Sequence, residues 1–394
     1  MSIVLTISNQ ERRTRLADRQ ALGRHVTNPL DAVRSVVGLH SSDPSTVYLS
    51  IWARAPEVAP TEISNALYED RSLLRVYGMR RTLWVVDLET HPVVEHSSTV
   101  QIAPGERRRM EKMLEDGGVT QDGATWLRNV ADQAERTIAE AGPILARDLT
   151  KQIPELTEKL TFHNKKGTLI GTVGVSTRTL VQLALESRII RAEPVGSWIS
   201  SQYRWSGMES WIGGPIPDMD PDAARADLLR MWLARFGPGT ETDMKWWTGW
   251  TVKRTRKAIA DIGAAEVGLA GGVGYVNADD LEPSPTQEPW IALLPSLDPT
   301  TMGWKERDWY LGDDASSRLF DRNGNAGPTV WANGRIVGGW AQRADGEVEY
   351  ELFEDIGSEA GRAVADRAAA LTAWIGELRV TPRFRSPHDK ELTG

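Results

Sequence analysis

The sequence predicts an α+β protein: three tandem winged-helix (helix-turn-helix) units followed by a small β-rich domain with a closing helix. Three observations predict it. Helix-cap signals introduce short stretches of period-3.6 hydrophobicity; each such group gives way to a short period-2 stretch; and beyond Pro289 only strand patterns and hairpin turns remain until a last amphipathic helix. The boundaries drawn from these shifts are 1–100, 101–215, 216–282 and 283–394.

In the first unit Asn28-Pro29 reads as cap and first turn, with Leu30, Val33 and Val37 repeating at helical spacing up to Leu39, so that the helix stops near His40. Asp43-Pro44 caps the next helix, through Val47 and Ile51. Thr61 caps a third over 61–69, with Ile63, Ala66 and Leu67 inward. Residues 72–77 and 82–86 then flank Gly78-Met79-Arg80-Arg81, a hairpin with a basic tip. In the second unit, helices are expected over 122–142 and 145–152 and from Ser176 as cap to Glu186, with wing strands over 189–192 and 202–205. In the third, a helix over 222–236 is broken by Gly237-Pro238-Gly239; Thr240 caps the next, and Thr251 caps one through Ile262. That last helix turns Val252, Ile259 and Ile262 inward and carries Lys253, Arg254, Arg256 and Lys257 on its other faces; residues 266–276 form its wing. Strands over 290–294, 329–332, 335–342 and 347–353 follow, with Asn333-Gly334 and Asp345-Gly346 as turns. The closing helix has Val364, Ala368, Leu371, Ile375 and Leu378 on one stripe, and the residues past Pro382 read as a loosely held tail.

Composition narrows the function. The chain has 394 residues, a formal charge of −8 and no Cys, which excludes disulfides, thiol nucleophiles and Cys-based zinc or iron–sulfur sites and fits a reducing cytoplasm. No apolar run suits a membrane span or signal peptide. The negative total speaks against a simple nucleic-acid coat, yet its distribution does not: residues 245–257 carry +5, 151–191 carry +4 and 71–113 carry +3, whereas 343–366 carry −6. Each basic stretch falls on a helix or wing able to face phosphate, with a merely solvated surface as the other reading. Gly167-x-x-x-Gly171-x-x-Gly174 lacks the ending of a phosphate loop, Gly271-Gly272-x-Gly274 reads as a wing turn, and the six His show no metal-ligand pattern. The Trp246, Trp247 and Trp250 cluster reads as packing before base stacking.

Several segments then become recognisable in order along the chain: Arg19-Gln20-Ala21-Leu22; Val37-Gly38-Leu39-His40-Ser41-Ser42-Asp43-Pro44; Met79-Arg80-Arg81-Thr82-Leu83-Trp84; Trp246-Trp247-Thr248-Gly249; Leu293-Leu294-Pro295-Ser296-Leu297-Asp298, leading to Gly303 and Arg307; and Asn333-Gly334-Arg335-Ile336-Val337-Gly338. Together they resemble the winged-helix DNA glycosylase superfamily of bacterial alkylpurine and interstrand-crosslink repair enzymes. The resemblance implies a C-shaped cradle for double-stranded DNA, excision of alkylated or adducted purines, and action as a monomer; the motif holds no lysine to form a Schiff base, so a monofunctional enzyme with no cofactor is expected. The family's catalytic pair, Gln-x-Gln or Gln-x-Asp, falls on His40 and Ser42, and its Arg-Gly-Thr-x-His pattern reads Arg80-Arg81-Thr82-Leu83-Trp84. Arg81 in place of Gly restricts the hairpin backbone and adds charge.

The resemblance and the charge map together nominate His40, Ser42 and Asp43 for chemistry, and Arg80, Arg81, Lys165, Lys166, Arg178, Lys253, Arg254, Arg256 and Lys257 for DNA. An alkylated purine leaves without being protonated, so the protein has only to hold a water and favour a cationic sugar. Neutral imidazole, with a reference pKa of about 6.5, can accept the water's proton; Ser42 can share the water, and Asp43, if inward, supplies negative charge. A helix C-terminus at His40 would favour imidazolium and oppose this, so activity is expected to rise through the His pKa. Structural readings stand beside these: His40 capping carbonyls, Ser42 closing a turn, Asp43 as an N-cap. A non-catalytic DNA-binding regulator or lesion sensor of the same fold is the alternative function.

Overall fold

A computed structural model describes residues 5–163, 169–312 and 315–394. The described chain is α+β and separates into two compact units. One gathers the residues up to Leu73, Trp84–Asp87 and Arg225–Gly394; the other holds Leu74–Leu83 and Leu88–Ala224.

The first unit opens with a helix the sequence reading missed, Asn9–Arg19, capped by Ser8. Asn28 caps Pro29–Arg34 by accepting from the Asp31 N–H at 2.9 Å, as its Asn-Pro sequence predicts. That helix ends at Arg34, five residues before Leu39. Val37 turns into the left-handed region at φ 64°, and Leu39–His40 is a two-residue strand. Asp43 caps Pro44–Arg54. The next helix starts at Pro60 rather than after Thr61, because proline fits a first turn and the Glu62 carboxylate accepts from the Ala59 N–H at 2.9 Å. Farther along, the helix Pro221–Phe236 precedes Glu241–Thr248 and Val252–Asp261, which Thr240 and Thr251 cap, and an antiparallel hairpin, Ala265–Leu269 with Gly272–Val276. Val252 is exposed rather than inward, and Thr255 and Ala258 make the buried stripe of its helix.

A four-stranded antiparallel sheet runs Ile291–Leu294, Thr329–Ala332, Arg335–Gln342, Val348–Leu352, and the helix Ser358–Ile375 carries Val364, Ala368, Leu371 and Ile375 on its buried stripe. Leu378 lies beyond the helix and is half-buried. The segment past Pro382 is not loose: Ser386 caps Pro387–Thr393, and Ser386, His388 and Asp389 are buried.

In the second unit Gly123–Ala141, Ala146–Gln152 and Val175–Leu185 form a core in which Leu127, Val130, Ile138, Leu149, Leu180 and Leu183 are buried together. Gly174, not Ser176, occupies the cap position of the last of these helices. Ile189–Pro194 and Tyr203–Gly207 pair as the expected strands. The helix Val100–Asp116 and the hairpin strands Lys159–His163 and Leu169–Gly174 add to the elements that the sequence predicts. Lys165 and Lys166, nominated for DNA, lie outside the described residues.

Candidate active site

The nominated motif sits where three recognisable segments of the first unit meet. Leu39 and His40 pair antiparallel with Val85 and Trp84. Gly38 permits this approach, since a Cβ there would stand 2.8 Å from Val86 and 3.1 Å from the Val85 carbonyl. A β-branched residue at positive φ is a strained conformation of roughly 1–3 kcal/mol, kept only where the surroundings over-determine it; buried Val37 is such a residue, three positions before His40. His40 therefore lies on a strand, not at a helix C-terminus, and the dipole expected to favour its charged form is absent.

Beside it is Trp84, whose ring centroid stands 5.1 Å from that of His40 at a tilt of 52°. Trp247, from the Trp-Trp-Thr-Gly segment, meets Trp84 edge-on at 5.5 Å, and behind it come Phe236 and Trp304. Trp247 and Trp250 are buried, as packing predicts, and Trp246 is half-buried with the Arg307 guanidinium 5.3 Å from its ring centroid.

Asp43 makes the cap its Asp-Pro sequence predicts. Its Oδ1 accepts from the Ser45 N–H at 3.0 Å and hydroxyl at 2.7 Å, while Oδ2 accepts from the Arg383 N–H at 2.8 Å. The Arg383 guanidinium also reaches the Ser42 carbonyl at 3.3 Å. Arg383 belongs to the segment read as a loose tail, so sequence reasoning missed it; these bonds and the buried neighbours Ser386, His388 and Asp389 tie the segment down.

Beneath the motif, the helix Pro44–Arg54 is bolted to the loop after Leu294. Arg54 donates to both Asp298 oxygens at 2.8 and 2.9 Å and to Thr300 Oγ1 at 2.7 Å, and Ser50 donates to Asp298 at 2.6 Å. Thr300 passes the network to Gln20, and Thr46 donates to the Ser296 carbonyl. Gln20 and Asp298 are thus structural members of one buried network and Ser296 is a second buried anchor of the same helix, all three within segments that carried the resemblance.

The described basic candidates are exposed in both units. In the second, Arg80 and Arg81 form the hairpin tip with φ of 57° and 61°; Arg81 pairs with Glu106 at 2.6 Å, and Arg178 is exposed on its helix. In the first, Arg256 pairs with Glu241 and Lys257 with Asp261, both at 2.7 Å, while Lys253 and Arg254 are exposed on the same helix. Glu241 raises the Arg256 pKa. Among the described residues no His, Asp and Glu group suits a metal ion, and no helix is long and apolar enough to cross a membrane.

Residues 33–374 match the family model described as DNA glycosylase AlkZ-like. This chain belongs to the AlkZ-like DNA glycosylase family. The solved structure of the Streptomyces sahachiroi DNA glycosylase AlkZ superposes with a TM-score of 0.72 at 20% identity, covering 96% of this chain and 100% of that one, which shows a shared fold. No curated protein matches the chain in sequence. Family membership makes DNA the partner and hydrolysis of N-glycosyl bonds the reaction class.

Proposed function

We propose that this AlkZ-like chain excises alkylated or bulky-adducted purines from double-stranded DNA, with His40 and Ser42 holding the attacking water. The observation that carries the reading is the alternation of burial along the motif. Ser41 and Asp43 are 2% and 3% exposed, whereas His40 and Ser42 are half-exposed. The imidazole and the hydroxyl are therefore the side chains of the motif that an incoming water and sugar can reach.

In an N7-alkylated purine the base is cationic. Its C1′–N9 bond breaks with the electron pair moving onto the base, which leaves neutral. The water oxygen bonds to C1′ of the oxocarbenium-like sugar, and the water's proton passes to the neutral imidazole of His40. Ser42 orients that water, and Asp43 favours the cationic sugar through space while remaining a cap. No lysine lies in the motif to form a Schiff base, so the reaction ends at the abasic site and needs no cofactor. In this reading the three helix-and-hairpin segments are tandem winged helices forming a C-shaped cradle, and the chain acts as a monomer. Arg80, Arg81, Lys165, Lys166, Arg178, Lys253, Arg254, Arg256 and Lys257 face the phosphates.

One observation favours a non-catalytic lesion sensor instead: His40 is packed against Trp84, as a purely structural imidazole would be. Counting abasic sites in duplex DNA carrying N7-alkylguanine or a bulky adduct separates the two. Release that falls by about a hundredfold or more in His40→Ala, and that rises with pH as the imidazole loses its proton, supports catalysis. Tight, salt-sensitive binding without release establishes the sensor.

A further inference from the structure

We propose that the second unit carries a separate nucleotide-binding pocket, centred on Arg191, which takes one nucleotide of the bound DNA strand through its phosphate. The choice of a DNA strand rests on the glycosylase reading; the phosphate chemistry rests on the pocket alone.

The pocket is a cavity of about 360 Å³ whose lining includes Arg147, Arg191, Ser201, Gln202, Tyr203 and Trp205, with no acidic side chain among the lining residues. Arg191 and Trp205 face each other across the ladder of Ile189–Pro194 and Tyr203–Gly207, just before the irregularity that separates Arg191 from Pro194. The Arg191 guanidinium stands 5.3 Å from the Trp205 ring centroid and 5.4 Å from that of Tyr203, and Arg75 stands 4.8 Å from the same Tyr203 ring. The Arg191 Nε is buried and has no hydrogen-bond partner among the described residues. Burial pulls the Arg191 pKa below the usual arginine value; the Tyr77 hydroxyl, hydrogen-bonded to the guanidinium, and Tyr203 pull it up, and the nearby Arg75 guanidinium pulls it down.

Cation–π packing alone is the plain structural explanation. It leaves two guanidiniums drawn to one ring. Buried charge is normally paired, and an anion at Arg191 would supply the counter-charge that the pocket lining lacks. A planar guanidinium fork matches phosphate oxygens, and Arg147, with its side chain 70% exposed and only a long 4.0 Å contact to the neighbouring Asp148, brings a second fork. The Ser201 hydroxyl and the Gln202 amide add neutral donors, while Tyr203 and Trp205 offer the aromatic surface on which a base can rest. The volume lies at the small end of ligand sites, roughly 300–1,000 Å³, which suits one nucleotide and not a longer segment.

The test measures binding of deoxyadenosine monophosphate to the full chain by phosphorus NMR, with inorganic phosphate as competitor, and in parallel the affinity for a duplex with one unpaired nucleotide and for its blunt counterpart. Arg191→Met keeps the apolar stem beside the rings, and Arg147→Ala alters an exposed side chain, so the two variants separate charge from folding. The expected result is displacement of the mononucleotide by phosphate, at least tenfold weaker binding in both variants, and loss of the preference for the unpaired nucleotide. Mononucleotide binding that is absent, or unchanged in both variants, overturns the pocket. Mononucleotide binding lost in the variants with DNA affinity unchanged overturns the strand as occupant. His40→Ala, which removes the proposed chemistry, keeps mononucleotide binding, so failure of the glycosylase reading shows separately.

Discussion

In the unit that carries the candidate active site, the deepest charge is met by a counter-charge: Arg54 and Asp298, both fully buried, join Ser50, Thr300 and Gln20 in one network, although the Arg54 Nε has no hydrogen-bond partner among the described residues. In the other unit, Arg191 faces aromatic rings, and burial lowers the His91 pKa from 6.5 to about 4 although the Glu95 carboxylate is 3.7 Å away. The difference separates two uses of buried polar groups. A closed ion-pair network fixes geometry, here the helix whose N-cap is Asp43, next to Ser42. Buried groups short of a matched counter-charge are sensitive to what arrives, whether a proton or an anion.

The largest expected effect breaks the matched side. Asp298→Ala leaves Arg54 buried without its carboxylate and is expected to destabilise the protein by about 3–5 kcal/mol, read as a lower denaturant midpoint. Arg54→Met with Asp298→Leu removes both charges and should lose less than the single change, because the penalty lies in the orphaned charge and not in the missing attraction. A double variant as unstable as the single one would mean that Ser50, Thr300 and Gln20 dominate the network.

Much of the frame around this network is legible in the sequence. Asn-Pro and Asp-Pro pairs cap helices because proline's fixed φ suits a first turn, and Asn333-Gly334 closes a hairpin with φ of 49° and 84°. The strand at His40 is not legible: two residues have no period, and only pairing with Trp84 and Val85, forty-odd residues away in sequence, fixes them. Arg383 escapes for a related reason. Its segment has no apolar stripe and is held by buried Ser386, His388 and Asp389, which sequence reasoning assigns to solvent. At the candidate site, the resemblance nominates His40 and Ser42, but that Trp84 and Trp247 converge beside them is tertiary information. Helix Val100–Asp116 was missed because Pro104 lies inside it, and proline normally marks a break.

The next effect sharpens the unmatched side. Unfolded His91 takes up a proton below about pH 6.5, whereas the folded form resists until about 4. The unfolded state therefore binds more protons across that window, and the His91 contribution to stability, complete above pH 6.5, is lost as pH falls to about 4. Its ceiling is about 3 kcal/mol. Burial raises the pKa of Glu95, which acts in the opposite direction and partly offsets the loss. The difference between wild type and His91→Leu isolates the imidazole: unfolding curves at pH 7.5 and 4.5 should show the wild type losing more stability on acidification, with hydrogen exchange placing the loss between Leu88 and Ala224. Equal losses in both proteins would mean that His91 is protonated in the fold.

The smallest effect concerns backbone strain at the Arg80-Arg81 tip. Arg81 holds φ of 61° with its side chain 54% exposed and one ion pair, to Glu106. A non-glycine residue in the left-handed region carries roughly 1–2 kcal/mol of strain, while an exposed ion pair returns only about 0–1 kcal/mol. Arg81→Gly is therefore expected to stabilise the protein slightly, by about 0.5–1 kcal/mol, although it deletes both a charge and an ion pair. If the tip lies on DNA, the same change removes one phosphate contact and lowers the slope of log affinity against log salt by about 0.9. The two readouts move apart, stability up and DNA affinity down, only if the arginine is kept for binding. A destabilised Arg81→Gly with an unchanged salt slope would instead place Arg81 with Arg54, as a charge whose partner is structural.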